Sequence, residues 1–490
     1  MIQSALSCLV VFFAVVHAKT AATIVYPRML ESRSEDDAKI VKISDDITLT
    51  LRKSSIFAEE FLIHSTRDGV PIAYHMRGPE MEKNLYHDAD QMASVDLSEE
   101  GGISIEGVLG GNLRIKPVEG MERSEDGQVA HQLYEVENTH EHGHNHDDYA
   151  VPNITTRALP ESRLNWPTGL RIPVLIRPEV YVVVDYEISS ALKFQEKRIA
   201  QYIAILGNSA NLRYRSMVQP RVQLTIVGIT VTTRRSDESY MVEISGYQAT
   251  KNINYGQTID NFKNFVAQKS YFATSDIIFL LTGKNMSYWD NKELKHSIGG
   301  FAYLAGACTQ WRVGMTEERV GSYYGVFVFA HELAHSLGCV HDGATASSWP
   351  NGHIGSADCP YDNGYMMSYK FTKPYMYKFS SCCQREVMNI YNRPAYECLS
   401  VKNAIKPGLH SSKFPGEVSS RETYCKKVYS SYSYVSADKK YNMSRCIVRC
   451  FISRNGDNML IGAVDGVSCG RKKMCVLGNC TSRPPIDKAE

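Results

Sequence analysis

An α/β layered domain, preceded by a β-rich region and followed by a small disulfide-rich module, is the architecture this 490-residue sequence predicts. Three observations predict it. Between about residues 171 and 402, continuous apolar runs alternate with stretches of helical periodicity, as strands and helices stacked in layers do. Upstream, residues 19 to about 165 carry short alternating segments, each the length of a half-buried strand. Downstream, cysteines crowd a polar stretch too short to build a core unaided.

In chain order, Met1 to Ala18 reads as a secretory signal: an apolar run from Ala5 to Val16 precedes the small Ala18, although no positive charge opens it. Residues 19–170 follow as the β-rich region, with Ile47-Thr48-Leu49-Thr50-Leu51 and Ile103-Ser104-Ile105-Glu106-Gly107-Val108-Leu109 as its clearest strands. A polar tract closes it, His140-Glu141-His142-Gly143-His144-Asn145-His146-Asp147-Asp148. A solvated linker is the plain reading of that tract, with divalent-metal binding by its alternating histidines and acids as the alternative.

The layered domain, residues 171–402, opens with the apolar strand Val180 to Asp185. Ala191 to Leu206 has helical periodicity (Leu192, Ile199, Ile203, Leu206), Val222 to Val227 is a strand and Ile259 to Gln268 a helix. Ile277 to Leu281 is a further strand, and a helix is expected from Glu318 to Leu337, buried through Val326-Phe327-Val328-Phe329-Ala330. Residues 403–490 form the last module, after a linker with Pro407, Gly408, Pro415 and Gly416.

Of 13 cysteines, Cys8 falls in the signal and none occurs from residue 9 to 307. The others split into Cys308, Cys339, Cys359, Cys382, Cys383 and Cys398, then Cys425, Cys446, Cys450, Cys469, Cys475 and Cys480. Two even sets suggest three disulfides in each of two modules and an oxidising compartment. Sequons at Asn153, Asn285, Asn442 and Asn479 suit a glycosylated secreted protein. A net charge of +1 with 22% charged residues disfavours a nucleic-acid partner. No stretch beyond the signal reaches the ~20 apolar residues of a membrane span, so a soluble, extracellular product is expected.

The chemistry is carried by His331-Glu332-Leu333-Ala334-His335-Ser336-Leu337-Gly338-Cys339-Val340-His341-Asp342. His331 and His335 lie one helical turn apart, so both imidazoles leave one face and can share a metal ion. Glu332 can reach the open coordination position. On a continuing helix His341 would point roughly 120° away from His335 and sit about 9 Å further along the axis. Gly338 lets the chain stop and reverse, which brings His341 back as a third ligand.

This extended motif is similar to that of the metzincin zinc proteases, and Asp342 directly after the third histidine resembles the reprolysin (adamalysin) branch. Gly364-Tyr365-Met366-Met367-Ser368-Tyr369 resembles the methionine turn of that family, with Met367 best aligned as the floor beneath the histidines. The longer segment Asp358 to Ser368 looks closest to secreted tick salivary-gland metalloproteases. The resemblance implies a metzincin domain binding one catalytic Zn2+ through His331, His335 and His341, with Glu332 as general base and Asp342 beside the methionine turn.

It also implies that Gly299 to Gly306 contains the substrate edge strand, Gly300, Phe301, Ala302 and Tyr303, onto which an extended peptide adds. By the same analogy Cys308 pairs with Cys398, and Cys339 with Cys382 or Cys383. Residues 19–170 match a reprolysin propeptide in position, yet the free cysteine that silences many such zymogens is missing. Latency would therefore be steric, or use a histidine or carboxylate of the polar tract. No convertase site is evident; Arg157, Arg163 and Arg171 are candidates for the activating cut. Ca2+ is doubtful: Glu179 fits one family ligand, but Val401 stands where an asparagine is expected.

The segment Asp465 to Cys480 resembles the cysteine-rich module of thrombospondin-motif metalloproteases, which implies surface or matrix binding. Two readings follow. One is a zinc metalloendopeptidase acting on extracellular proteins such as fibrinogen, fibrin, gelatin or other matrix proteins. The other is a non-enzymatic receptor-binding protein acting through the cysteine-rich module. The intact histidines and Glu332 favour the enzyme.

Overall fold

A computed structural model describes residues 22–30, 38–67, 70–136, 148–152, 173–244, 252–296, 298–370, 372–402, 415–418, 420–430, 432–463, 466–476 and 479–482. The signal (1–18), the polar tract through Asp147, Asn153, the arginines at 157, 163 and 171, Pro407 and Gly408 lie outside the described residues.

The centre of the molecule is an eight-stranded sheet. Its strands are β1 (Phe57–Arg67), β2 (Val70–Arg77), β3 (Tyr149–Ala150), β4 (Glu179–Val184), β5 (Thr225–Val231), β6 (Ile277–Thr282), β7 (Gly300–Tyr303) and β8 (Val313–Glu317). They are ordered β3-β7-β8-β6-β4-β5-β1-β2. Parallel neighbours flank β4 and β6, and the β4 and β6 residues are all buried, which is why both read as unbroken apolar runs. The β5 strand lies three residues later than its apolar run suggested, because Leu224 and Val222 pack into the core before the ladder begins.

Three of the longer helices pack on this sheet, α1 (Glu196–Tyr214), α2 (Tyr255–Ala267) and α3 (Gly325–Ser336), and α4 (Ser381–Tyr391) packs against the turn that ends α3, with Ile390 beside Gly338. The helix expected over 191–206 is two elements. A short helix, Tyr186–Ala191, is capped by the Asp185 carboxylate, which accepts from the Ile188 N–H at 2.9 Å. Lys193 and Phe194 then adopt φ of 59° and 53°, which no helix tolerates, and α1 starts beyond them. Leu192 is buried either way, so periodicity alone reads through the break.

The active-motif helix is shorter than expected, beginning at Gly325 and not at Glu318. Glu317 closes β8, and the next residues turn, with Gly321 at φ 87° and Tyr323 at 50°. The buried Glu318 carboxylate accepts from the Gly325 N–H at 2.9 Å and so satisfies an N–H of the first helical turn.

Residues 23–135 also form a nine-stranded antiparallel sheet with its own core (Val41, Leu49, Leu51, Val95, Ile105, Ile115). The β-rich expectation holds, but the region is interwoven with the rest. The β1–β2 hairpin leaves it and extends the central sheet, β1 running parallel to β5. Ile56, Phe57, Phe61 and Ile63 thereby share one core with Val182, Val184, Ile226 and Ile229. Helix α1 packs on the nine-stranded sheet, where the Asn208 amide donates to Ser94 Oγ at 2.9 Å.

Six disulfides divide as the two cysteine sets do: Cys308–Cys398, Cys339–Cys383 and Cys359–Cys382, then Cys425–Cys450, Cys446–Cys475 and Cys469–Cys480. The second three hold a small core of Tyr424, Val448, Ile461 and Val467. Among the described residues no helix is long and apolar enough to cross a membrane.

Candidate metal centre

Helix α3 is buried along its whole length, so packing holds it straight while His331 and His335 emerge one turn apart. It stops in a Schellman turn. The Cys339 N–H donates to the Ala334 carbonyl at 2.9 Å, the Gly338 N–H to the His335 carbonyl at 2.9 Å, and Gly338 takes φ 101°. The Cys339–Cys383 bond fastens this turn to α4, and His353, buried, bonds through Nε2 to the Gly338 carbonyl at 2.9 Å. The reversed chain returns His341 to the other two histidines.

The three imidazoles converge on one point. His331 Nε2 lies 3.1 Å from His335 Nε2 and 3.3 Å from His341 Nε2. Each Nδ1 of the helix pair faces a carbonyl oxygen, Met366 for His331 at 2.7 Å and Cys339 for His335 at 2.6 Å. A carbonyl only accepts, so each Nδ1 carries the proton and each neutral Nε2 presents a lone pair. Two lone pairs at 3.1 Å repel unless a cation lies between them.

A fourth donor completes the cluster. Asp148 is buried, with Oδ1 3.1 Å from His335 Nε2 and 3.0 Å from His341 Nε2, and Oδ2 3.1 Å from His331 Nε2. A tetrahedral ion with arms of 2.0–2.1 Å separates its ligands by roughly 3.3 Å. These donors fit a zinc-sized cation in both chemistry and spacing.

Burial raises the Asp148 carboxyl, but positive charge at the centre where the three histidines meet outweighs it and holds the carboxyl well below the carboxylate range. Burial also lowers His335 to about 4. Glu332 lies beside the cluster, fully buried, and neither carboxylate oxygen has a hydrogen-bond partner among the described residues. Burial first, and the Asp148 charge next, push its carboxyl well above the ordinary value.

Around this centre, Met366 and Met367 are both buried in the main core. Met366 supplies the carbonyl that holds His331, and the Met367 carbonyl accepts from the Asp342 N–H at 2.9 Å. Asp342 does not point among the imidazoles; its Oδ1 accepts from Ser380 Oγ at 2.6 Å, and burial raises it to about 6. The Tyr369 ring packs 5.2 Å from that of His331. Glu179 and Asp276 meet at the far end of β4, where the Glu179 N–H donates to Asp276 Oδ2 at 2.9 Å.

The strand Gly300 to Tyr303 lies alongside, antiparallel to β8, but its outer side is not the open edge the sequence suggested. Tyr149 and Ala150 pair with Ala302 and Tyr303 in parallel register, and all four β7 residues are buried. The sequence reading named the tract ending in Asp148 as one source of a blocking carboxylate without singling Asp148 out, and it missed His353, Glu318 and the Met366 carbonyl. For Asp148 the available signal was an acid–histidine tract in a region without cysteine.

A buried three-histidine cluster with an adjacent glutamate, set below the edge of a mixed sheet, defines a zinc metallopeptidase. Comparison with known proteins agrees. Residues 177–380 match the Reprolysin_5 family model, described as metallo-peptidase family M12. This segment belongs to the reprolysin branch of the metzincins, and the chain is a metalloendopeptidase whose family implies a catalytic zinc.

The chain is 27% identical to the venom metalloproteinase BumaMPs1 of Olivierus martensii over 393 residues, 79% of this chain and 94% of the relative. It is 25% identical to the venom metalloproteinase antarease TserMP_A of Tityus serrulatus over 399 residues, 77% and 92% of the two chains. A Bombyx mori protein named as like a disintegrin and metalloproteinase with thrombospondin motifs is 25% identical over 319 residues, 63% and 45% of the two.

Proposed function

We propose that this chain is a secreted zinc endopeptidase made as a zymogen, with residues 1–18 as signal, 19–170 as propeptide, 171–402 as protease domain and 403–490 as a cysteine-rich surface-binding module. The observation that carries the catalytic reading is the convergence of His331, His335 and His341 Nε2 beside the Glu332 carboxylate, which has no hydrogen-bond partner among the described residues. Zinc held by these histidines supplies Lewis acidity toward the scissile carbonyl and lowers the pKa of water towards about 7.

The protein's own groups do the rest. Glu332 takes a proton from the attacking water and returns it to the departing amine. The Met366 and Cys339 carbonyls fix the tautomers of His331 and His335, keeping Nε2 free for the metal. Backbone groups of Gly300 to Tyr303 bind an extended substrate segment as an added strand, which restricts cleavage to unfolded or loop regions. Asp342 braces the methionine turn at Met367 from below. The substrates on this reading are extracellular proteins, fibrinogen, fibrin and gelatin among them.

The test is cleavage of fibrinogen and gelatin by the mature protein, with and without a zinc chelator, beside Glu332→Ala. Expected is chelator-sensitive cleavage that Glu332→Ala lowers by about a thousandfold or more while zinc content stays at one per chain. Cleavage unaffected by the substitution removes Glu332 from the mechanism. No cleavage across a broad peptide library, by a processed and zinc-loaded protein, overturns the endopeptidase reading.

A further inference from the structure

Three residues of the N-terminal region sit in the cleft. We propose that Asp148 is the fourth ligand to the metal in the uncleaved chain, while Tyr149 and Ala150 take the place of substrate along β7. The proposal rests on the metallopeptidase reading above and deepens it to the regulation of that site.

Its first support is the carboxylate's position. Asp148 is buried, and its ionic partners among the described residues are the three imidazoles, at 3.0 to 3.1 Å. A carboxylate withdrawn from water needs a positive partner, and the imidazoles of His331 and His335, with their Nε2 lone pairs turned inward, do not supply one. A cation at the centre supplies it, and makes the set three nitrogens and one oxygen, a closed tetrahedral shell. A closed shell leaves no position for water, so the site is chemically silent while Asp148 stays.

The second support is the backbone. The Ala302 N–H donates to the Asp148 carbonyl at 3.2 Å, and the Leu304 N–H to the Ala150 carbonyl at 2.9 Å. These are the edge-strand donors that an extended substrate would use. The Tyr149 ring packs against that of His335, with centroids 4.6 Å apart, and edge-on against that of His341 at 5.4 Å, which places it beside two of the metal-facing imidazoles. The third support is compositional: residues 9–307 contain no cysteine, so no thiolate from this region can fill the fourth position. Activation is then a ligand exchange in which the carboxylate leaves and one water enters. No covalent bond to the metal site is cut and no redox partner is needed.

The test uses the full-length precursor loaded with Co2+ in place of zinc, as wild type, Asp148→Asn and Asp148→Ala, beside the processed wild type. Expected is a visible absorption band in the wild-type precursor that differs from the processed enzyme, and a band in Asp148→Ala that has moved to the processed position. Peptide hydrolysis by the uncleaved Asp148→Ala precursor rises at least about tenfold. Unmoved bands in both variants overturn the ligand assignment. A moved band without a gain in hydrolysis overturns the claim that ligation is what silences the enzyme.

Should neither variant be secreted, chelator competition on the wild type decides. The precursor is expected to hold zinc at least about tenfold more tightly than the processed form, and equal affinities overturn the proposal. Failure of the processed, metal-loaded enzyme on every peptide would strike the endopeptidase reading alone, leaving the spectroscopic result standing.

Discussion

Gly300 is the residue where the edge strand and Glu332 touch. A β-carbon built there would lie 2.3 Å from Val328 Cγ1, 2.6 Å from Glu332 Cγ and 2.7 Å from Oε1, closer than real contacts allow, so the absence of a side chain lets both α3 side chains rest where they do. Gly300→Ala is expected to lower kcat/KM by about ten- to a hundredfold, with zinc stoichiometry unchanged, because the carboxylate is displaced and the imidazoles are not. Steady-state kinetics beside metal analysis checks it; unaltered kcat/KM would mean that Glu332 shifts freely without consequence.

At this scale the sequence was legible where chemistry is written in side chains at short spacing. His331, Glu332, His335, Gly338 and His341 span eleven residues and carry their geometry with them. Asp148 meets His335 across 187 residues, a contact that no local pattern encodes. The Met366 carbonyl that orients His331 was equally hidden, since a backbone oxygen leaves no trace in residue identity.

Among the elements, the start of α3 shows how burial confuses periodicity. Strand β8 and α3 are buried throughout, while the turn between them, from Arg319 to Ser322, is exposed or half-buried and passes for the solvent side of a longer helix. The boundaries are set by carboxylates: Glu317 accepts from the Met286 N–H, and Glu318 from the Gly325 N–H and the Tyr202 hydroxyl. Burial raises Glu317 from 4.5 to about 8 and Glu318 from 4.5 to about 7.

For each carboxyl the folded pKa lies above the unfolded one, so between the two values the folded chain holds more protons. Stability from this source is full below about pH 4.5 and is lost as pH rises through about 7 to 8. The Tm is expected to fall from pH 5 to pH 8, and Glu317→Gln to reduce that fall by raising Tm at pH 8 more than at pH 5. Parallel Tm–pH slopes for the two proteins would contradict it.

For the molecule as a whole, the N-terminal region grips the protease domain at several separated places. The β1–β2 hairpin extends one side of the sheet, β3 closes the other, and α1 lies on the nine-stranded sheet. Arg114 Nε donates to the Ser322 carbonyl at 2.6 Å and the Tyr134 hydroxyl to Gly321, in the turn that leads into α3. A single cut between residues 152 and 173 is therefore expected to yield a nicked complex that co-elutes in gel filtration and separates only in denaturant or after a second cut within 19–152. Immediate separation of the two fragments in native buffer would show that the grip is weak. The sequence conveyed the β-rich and α/β character and the two disulfide sets, because residue patterning and cysteine content change along the chain. It did not convey the interweaving, because a strand's partner is not written in its alternation.

The central sheet's outermost strands, β3 and β2, both belong to the region expected to be discarded. Shedding it would bare two flanks at once. One is β7, where a substrate chain docks. The other is β5, Thr225–Val231, which keeps Ile226, Ile229 and Val231 in the core and would be left with a row of backbone groups suddenly unmatched. The ripened enzyme would thus be the stickier and shorter-lived form, and the intact precursor the one suited to storage. Its working life would be timed from the moment of release.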